Sequence, residues 1–489
     1  MRTPHLHQNR ALAMLRASVG KGRRRPMLQA PTGAGKTFIA AMIIRGAREK
    51  NPSIRIVFIV DAISLIDQTV QAFYDAGLYD IGVIQSDHPM QDWSKSIQVA
   101  SVQTLQRRGT MPQAGLVIVD EAHDQNEWLK EIMASPEWAN VPFMGLSATP
   151  WSRGLGHVYD DLLIPVTMQE LIDEGLLSPF RVYAAAHPDL TGVTVARGDY
   201  AEGQLSGVMQ DGSLVADIVD TWRRRGENRP TVAFCVDRAH AKKVQLRFQE
   251  AGIGCGYIDA FTDRDERRRI RAQLDAGVIK VVANVGCLIK GVDWALGCVI
   301  LARPTKSEIR YVQMVGRGLR VNPGISDCVI LDHADNTLRL GFVTDIHHPE
   351  LCKAVKGEKK AQERKQALPK ECPSCTFLKP PKVHECPACG FRPERTSKIE
   401  EEDGELVEVT RAKVKADKAE KQSWHAQLRS ISQARGYASG WVANTYRKRF
   451  GVWPRGLDEY RTAPPSQEVR NFVLGMNIRF KKGQERRAA

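Results

Sequence analysis

The chain has no apolar run approaching the roughly 18–20 residues that a bilayer-spanning helix needs, which excludes helical membrane insertion. Its first residues, MRTPHLHQNRALAMLRASVGKGRRR, hold no continuous apolar core of signal-peptide length. The protein is therefore expected to stay in the compartment where it is made. Cysteine is sparse: of ten, four form two CxxC pairs, while Cys235, Cys255, Cys287, Cys298, Cys328 and Cys352 are scattered. That is not the dense pattern of a secreted disulfide framework. No short-period repeat is present, which excludes a solenoid. No stretch reads as a nuclease or methyltransferase domain, and few residues remain to hold one.

What is present is ordinary globular composition, 43% hydrophobic and 26% charged over 489 residues. That length exceeds one compact core and implies about two to four domains. Lys plus Arg is 70 against 56 for Asp plus Glu, a net of +14, so an acidic partner such as nucleic acid is expected. The excess is local. Residues 411–489 hold 18 basic and 6 acidic residues, a net of +12, while residues 1–352 and 353–410 each net +1.

Two series of short Val/Ile-rich runs are separated by helix-length segments. MLQA (27–30), RIVFIV (55–60), IQVAS (97–101), LVIVD (116–120) and FMGLS (143–147) form the first. TVAFCV (231–236), GCGYID (254–259), KVVANV (280–285), CVILA (298–302) and CVILD (328–332) form the second. This alternation predicts two α/β lobes with parallel sheets and crossover helices.

APTGAGKT (30–37) follows a predicted strand and precedes a predicted helix. That is the context of a phosphate-binding loop, in which backbone N–H groups and a helix N-terminus face phosphate oxygens. Thr32, Gly33, Ala34 and Gly35 supply the cradle, Lys36 pairs with the β- and γ-phosphates of ATP, and Thr37 places its hydroxyl on magnesium. The usual first glycine of the pattern is Ala30 here. LVIVDEAHD (116–124) puts acids at a strand end: Asp120 to hold magnesium, Glu121 to orient the attacking water, His123 to couple to a neighbouring motif. An acidic strand end alone is often only a helix cap; the phosphate loop gives it this reading.

ECPSCTFLKPPKVHECPACGF (371–391) carries Cys372 and Cys375, then Cys386 and Cys389. Two CPxC turns supply a closed tetrahedral S₄ site, so zinc there is structural rather than catalytic. A redox pair is the alternative reading. SWHAQLRSISQARGYASGWVANTYRKRFGVWPRGL (423–457) interleaves Trp424, Tyr437, Trp441, Tyr446, Phe450 and Trp453 with Arg and Lys. Most of these aromatics are expected to be the core of a small helical domain. Its surface charge (Arg447, Lys448, Arg449, Lys481, Lys482, Arg486, Arg487) is expected to face nucleic acid.

DEAH (120–123) followed by SATP (147–150) resembles motifs II and III of the superfamily 2 helicases. NVGCLIKGVDW (284–294) resembles motif V, with Gly291 and Asp293 matching and Asn284 replacing the usual Thr; QMVGRGLR (313–320) fits the QxxGRxxR of motif VI. The resemblance implies that Gln313, Arg317 and Arg320 reach across the cleft to the nucleotide. Arginine suits that role because a loose phosphoryl transition state needs rigid, permanent positive charge. Gln8, in PHLHQ, is placed by the resemblance as the adenine-reading glutamine; by itself it reads equally as an exposed polar helix residue. DAISLIDQ (61–68) and ASVQTLQRR (100–108) resemble the DNA-contact motifs Ia and Ib, so Ser64, Gln103 and Thr104 either touch phosphates or cap local turns.

The two lobes, the HPDLTGV…GDY bridge, the four-cysteine module and a tail near KRFGVWP resemble the RadD-type and prophage-encoded DNA helicase group. This implies two RecA-like lobes of the P-loop NTPase class, 1–178 and 211–350, joined by a bridging segment, 179–210. A charged linker (351–369), a zinc ribbon (370–393), an acidic-to-basic linker (394–422) and a basic, mainly helical C-terminal domain (423–489) follow. It also implies an ATP-dependent helicase with ATP, magnesium and structural zinc, acting on single-stranded or fork-type DNA in replication, recombination or repair. A contact with single-strand-binding protein through the C-terminal domain and a cytoplasmic setting in a bacterium or phage-infected host complete the expectation. A duplex translocase, an RNA helicase and an ATP-gated DNA-binding recruitment protein remain alternatives.

Overall fold

The computed structural model describes residues 3–354, 368–392 and 418–476, except 86–87, 185–187, 197, 211, 289–293, 382, 439, 451, 467, 471 and 474–475. The chain divides into two compact units, Met1–Arg395 and Thr396–Ala489. Among the described residues no helix is long and apolar enough to cross a membrane.

The first unit holds two wholly parallel sheets. In the first, strands β1 (Pro26–Gln29), β2 (Ile56–Val60), β3 (Ile81–Ile84), β4 (Ile97–Ser101), β5 (Leu116–Val119), β6 (Phe143–Ser147) and β7 (Asp161–Leu163) lie in the order β3-β4-β2-β5-β6-β1-β7. Strands β1 to β6 are buried along their whole length, as a sheet covered on both faces requires. Helix α1 (Leu6–Gly20) precedes β1, and helix α2 (Lys36–Lys50) follows it.

The second sheet contains β8 (Phe180–Tyr183) and, after a hairpin of β9 (Val195–Ala196) and β10 (Asp199–Tyr200), the strands β11 (Thr231–Phe234), β12 (Cys255–Ile258), β13 (Val281–Asn284), β14 (Cys298–Leu301) and β15 (Cys328–Asp332). Their order is β12-β13-β11-β14-β15-β8. Helix α3 (Glu308–Val315) leads from β14 toward the cleft, capped by the Ser307 hydroxyl, which accepts the Arg310 N–H. One apolar cluster runs through both lobes, from Leu28, Ala30 and Ala34 to Val312, Val315 and Leu319.

All ten strands expected from the apolar runs are present. The two parallel sheets hold three more, β3, β7 and β8. Strand β8 lies in the segment read as a bridge, yet it pairs in register with β15, Val182 opposite Ile330. The rest of that segment clamps onto the second lobe. Asp199 accepts from Thr305 Oγ1 (2.8 Å), Lys306 N (2.8 Å) and Arg310 Nη1 (2.6 Å).

The cysteine module carries two short antiparallel strands, β16 (Lys370–Glu371) and β17 (Leu378–Lys379). It docks on the free edge of β8: Tyr183 forms an antiparallel bridge with Phe377, and Ala184 N donates to Thr376 O at 3.1 Å. The Tyr183 and Phe377 rings meet edge to face at 5.7 Å, and Arg225 lies 5.1 Å over Tyr183. An otherwise open edge strand is thereby covered.

In the second unit, helices α4 (Lys418–Arg435) and α5 (Trp441–Phe450) pack around Trp424, Leu428, Ile431, Tyr446, Val469 and Val473. Tyr437, Trp441 and Phe450 pack partly against that core. Residues 355–367 of the charged linker, residues 394–417 of the second linker and Lys481, Lys482, Arg486 and Arg487 lie outside the described residues.

Candidate active site

The loop between β1 and α2 needs two glycines for backbone reasons. Gly33 (φ +90°) and Gly35 (φ +81°) take left-handed conformations that cost an L-residue strain. A Cβ at Gly33 would stand 2.5 Å from Leu177 Cδ2, and one at Gly35 2.7 Å from Gln8 Nε2. Helix α2 then starts at Lys36, so its first-turn N–H groups face the loop.

Opposite, β5 delivers Asp120 and Glu121. Glu121 has φ +46°, a strained conformation for a residue with a side chain, and its N–H donates to Asp120 Oδ1 at 3.0 Å. Lys36 Nζ lies 2.5 Å from Glu121 Oε1. Asp120 is enclosed, and burial pushes its pKa up to about 6, opposed by Lys36 and reinforced by Glu121.

The second lobe closes the site through α3. Gly316 approaches the phosphate loop so tightly that a Cβ there would stand 3.0 Å from Thr32 Oγ1. Arg317 is 8% exposed. Burial pulls both Arg317 and Arg320 below the usual guanidinium range, with Glu121 opposing the shift at Arg317. Thr32, Gly33, Gly35, Lys36, Thr37, Asp120, Glu121, Gln313, Arg317 and Arg320 all line one cleft of about 520 Å³. Two largely desolvated guanidiniums and a lysine in one cleft favour a polyanionic occupant.

A buried hydrogen-bond chain joins the lobes behind this cleft. His123 Nδ1 is 2.8 Å from Ser147 Oγ, which also accepts the Thr149 N–H at 3.0 Å. His123 Nε2 is 3.2 Å from Gln313 Nε2 across the interface. The same ring also faces two carboxylates, Nδ1 lying 3.4 Å from Glu121 Oε2 and Nε2 3.5 Å from Asp124 Oδ1.

Several other residues do not line this cleft. Gln8 is only 1% exposed, so it is not a surface helix position. Its Nε2 donates to Ala34 O (3.1 Å) and its Oε1 accepts from His5 N (3.0 Å), beneath the loop rather than on the cleft wall. His7 Nε2 lies 3.0 Å from the same Ala34 carbonyl; nothing in the sequence singles His7 out. Thr104 is a cap: its N–H donates to Ser101 Oγ, which donates to Thr104 Oγ1. Gln103 donates to the Asp61 carbonyl. Gly291, Asp293 and the Ser64 side chain lie outside the described residues.

Leu65, Gln68, Thr69 and Ala72, within and after DAISLIDQ, line the nucleotide cleft. Their i, i+3, i+4, i+7 spacing was the available signal for one shared helix face. Residues 342–354 return from the second lobe to the first. Gly156 N donates to Cys352 O at 2.9 Å, and the His348 ring lies 4.9 Å from Trp151 while bonding Glu308 at 2.7 Å.

In the cysteine module, the Sγ atoms of Cys372, Cys375, Cys386 and Cys389 all lie within 4.8 Å of one another. Cys372–Cys389 is 3.8 Å and Cys375–Cys386 is 3.6 Å. Disulfide sulfurs sit at about 2.05 Å. Tetrahedral zinc at about 2.3 Å from each sulfur spaces them by about 3.8 Å, so the four thiols fit zinc.

Known proteins agree with this architecture. A family described as type III restriction enzyme, res subunit, matches residues 2–152, and one described as helicase conserved C-terminal domain matches residues 213–322. The chain is 27% identical over 398 residues to a 51.5 kDa protein of a Lactococcus phage (isolate 7-9), covering 80% of this chain and 84% of that one. It is 23% identical over 363 residues to the ATP-dependent DNA helicase uvsW of Enterobacteria phage T4, covering 68% of each. It spans about half the length of some longer curated relatives. Its fold resembles that of a fragment assigned as an HsdR subunit of a type I restriction enzyme from Vibrio vulnificus YJ016, with TM-score 0.54 and 19% identity over 73% of this chain and 68% of that one. With both lobes matched and the cleft formed between them, the chain is a superfamily 2 helicase, a nucleic-acid-dependent ATPase by class.

Proposed function

We propose that the protein is an ATP-driven DNA helicase or translocase that hydrolyses ATP to ADP and phosphate when DNA is bound. The observation that carries this reading is the single cleft lined by Lys36, Asp120 and Glu121 from one lobe and Gln313, Arg317 and Arg320 from the other. Lys36 leaves Glu121 for the β- and γ-phosphates. Glu121 then orients the attacking water and accepts its proton. Arg317 and Arg320 neutralise charge on the departing γ-phosphoryl oxygens, which is where a loose transition state needs it. Gln313 links this event to His123 and so to the SATP segment of the first lobe.

Thr37 and Asp120 would hold magnesium; the half-buried Asp120 carboxylate on the cleft wall fits a cation. When bound, magnesium adds charge neutralisation at the phosphates. The four cysteines would hold zinc as a closed structural site.

DNA as the polymer is supported by the likeness to uvsW and by the +12 charge of residues 411–489. Single-stranded or branched DNA, contact with single-strand-binding protein and a role in replication, recombination or repair follow from the RadD-type resemblance. The phage relative supports a setting in a bacterium or an infected host.

The test is steady-state ATP hydrolysis with no nucleic acid, single-stranded DNA, duplex DNA and RNA, using Glu121→Gln as the blank. Stimulation by single-stranded DNA, absent in the blank, is expected. Stimulation by RNA alone, or no turnover despite tight DNA binding, overturns the proposal.

A further inference from the structure

The C-terminal unit lies outside both family matches, and no residue of the ATP cleft belongs to it. Its core absorbs Trp424 and Tyr446 fully and Tyr437, Trp441 and Phe450 in part. Among the described residues two aromatics are left out: Trp453 is 44% exposed and Tyr460 is 88% exposed. Single exposed apolar side chains are common and mean little alone. These two share a further feature. The Arg447 guanidinium lies 4.7 Å over the Trp453 ring, and that of Arg429 lies 5.8 Å over the Tyr460 ring.

The segment bearing them is fixed to α4. Gln422 accepts the Asp458 N–H and donates to its carbonyl, Ala463 N donates to Ala426 O, and Gln427 accepts the Ser466 N–H. Tyr460 therefore stands on a pinned stretch of chain with Trp453 just before it, and each ring is steadied by an arginine. Arg447, Lys448 and Arg455 are exposed beside them, with Asp458 and Glu459 the acids in the same segment. Steadied aromatic faces amid cations are what unpaired bases and their phosphates require. A duplex hides its base faces and would use only the cations.

We propose that this segment is a second nucleic-acid site specific for single strands: Trp453 and Tyr460 stack on bases, while Arg447, Lys448 and Arg455 take phosphates. The proposal borrows the partner class from the helicase reading but does not require the cleft to turn over.

The test uses the full chain and a dye-labelled oligo(dT), with fluorescence anisotropy in the absence of nucleotide. The readout is nucleotide-free binding and not turnover, which separates this site from any failure of the ATP-cleft reading. The pair Trp453→Ala and Tyr460→Ala should weaken binding about tenfold or more, with the salt dependence unchanged. Trp453→Phe should recover most of the Trp453 share. Replacing Arg447 and Lys448 by Ser should instead flatten the slope of log affinity against log salt by about 1.4. The aromatic pair is exposed, so its loss should leave the unfolding midpoint in place. Oligo(dT) binding within twofold of the parent in the aromatic pair, at an unchanged midpoint, overturns the proposal. An equal loss for duplex DNA overturns it too, because stacking cannot explain that.

Discussion

The cleft between the lobes and the four-cysteine module each gather polar groups that would be costly apart, over opposite sequence ranges. In and behind the cleft, Lys36 and Glu121 meet across 85 residues and His123 and Gln313 across 190. In the module, Cys372 and Cys389 meet across 17. Long-range assembly makes the cleft conditional, since its arginines arrive only when two sheets are side by side. Short-range assembly makes the module nearly unconditional once its metal is bound. A hydrolysis cycle needs the first kind of site, because opening the interface withdraws Arg317 and Arg320 together. A clamp on the β8 edge needs the second. Damage to the cleft should therefore cost rate without stability, and damage to the module stability without rate.

The largest effect is expected in the cleft. Arg317→Lys keeps a cation but loses the planar fork, and a lysine cannot reproduce its reach in a site where Arg317 is 8% exposed. DNA-stimulated kcat should fall about 10²–10³-fold, with KM for ATP changed less than about threefold and the melting midpoint unchanged. A kcat within threefold of the parent would remove Arg317 from the reaction and leave it a merely structural cation.

The converse test is on the module. Cys372→Ser with Cys375→Ser, or removal of zinc by a strong chelator, should free residues 370–392 and uncover the Tyr183–Phe377 contact on β8. That loss is on the order of 2 kcal/mol, or about 4 °C in the midpoint of the first unit. The kcat of the protein that remains folded should hold within about twofold. A chelated protein with an unmoved midpoint and no new proteolysis near residue 370 would show that the module does not clamp the edge. A large fall in kcat at an unmoved midpoint would show that it acts on the reaction.

The same contrast of range explains what the sequence made legible. CPSC and CPAC announce their site through spacing alone. Most of the ten strands first read are short Val/Ile-rich runs because sheets covered on both faces favour them. Strands β3, β7 and β8 carry less signal. β3 contains Gly82, whose missing side chain makes room for the Asp92 carbonyl, where a Cβ would stand 2.0 Å away. β7 is three residues long, and β8 is half-buried over its first two positions, at a sheet edge. GAGKT, DEAH and QMVGRGLR are each recognisable, but nothing in them states that Gly316 abuts Thr32. The 342–354 return to the first lobe has no periodicity to read. His7 is hidden most completely, because its role rests on one carbonyl in another element.

That carbonyl supplies the smallest test of the comparison. Ala34 O accepts from both His7 and Gln8, and each side chain is at least 98% buried, so α1 holds the phosphate loop from beneath by local bonds. The Gln8 amide is bonded to Ala34 and His5, so Gln8 shapes the loop in this structure. Losing either bond should loosen the loop without removing any charge that meets the phosphates. His7→Ala and Gln8→Ala should each raise KM for ATP about three- to tenfold, since one such bond is worth about 0.5–1.5 kcal/mol, and leave kcat within twofold. His7→Gln, which can still donate to Ala34, should recover most of the loss. The decisive readout is base selectivity. If Gln8 only holds the loop, Gln8→Ala weakens ATP and GTP alike and their ratio stays put. If Gln8 turns to read adenine once nucleotide is bound, Gln8→Ala collapses that ratio while His7→Ala does not. A residue tied by local bonds in the empty site would then serve the long-range site as well, and the line between the two kinds of assembly would run through Gln8 itself.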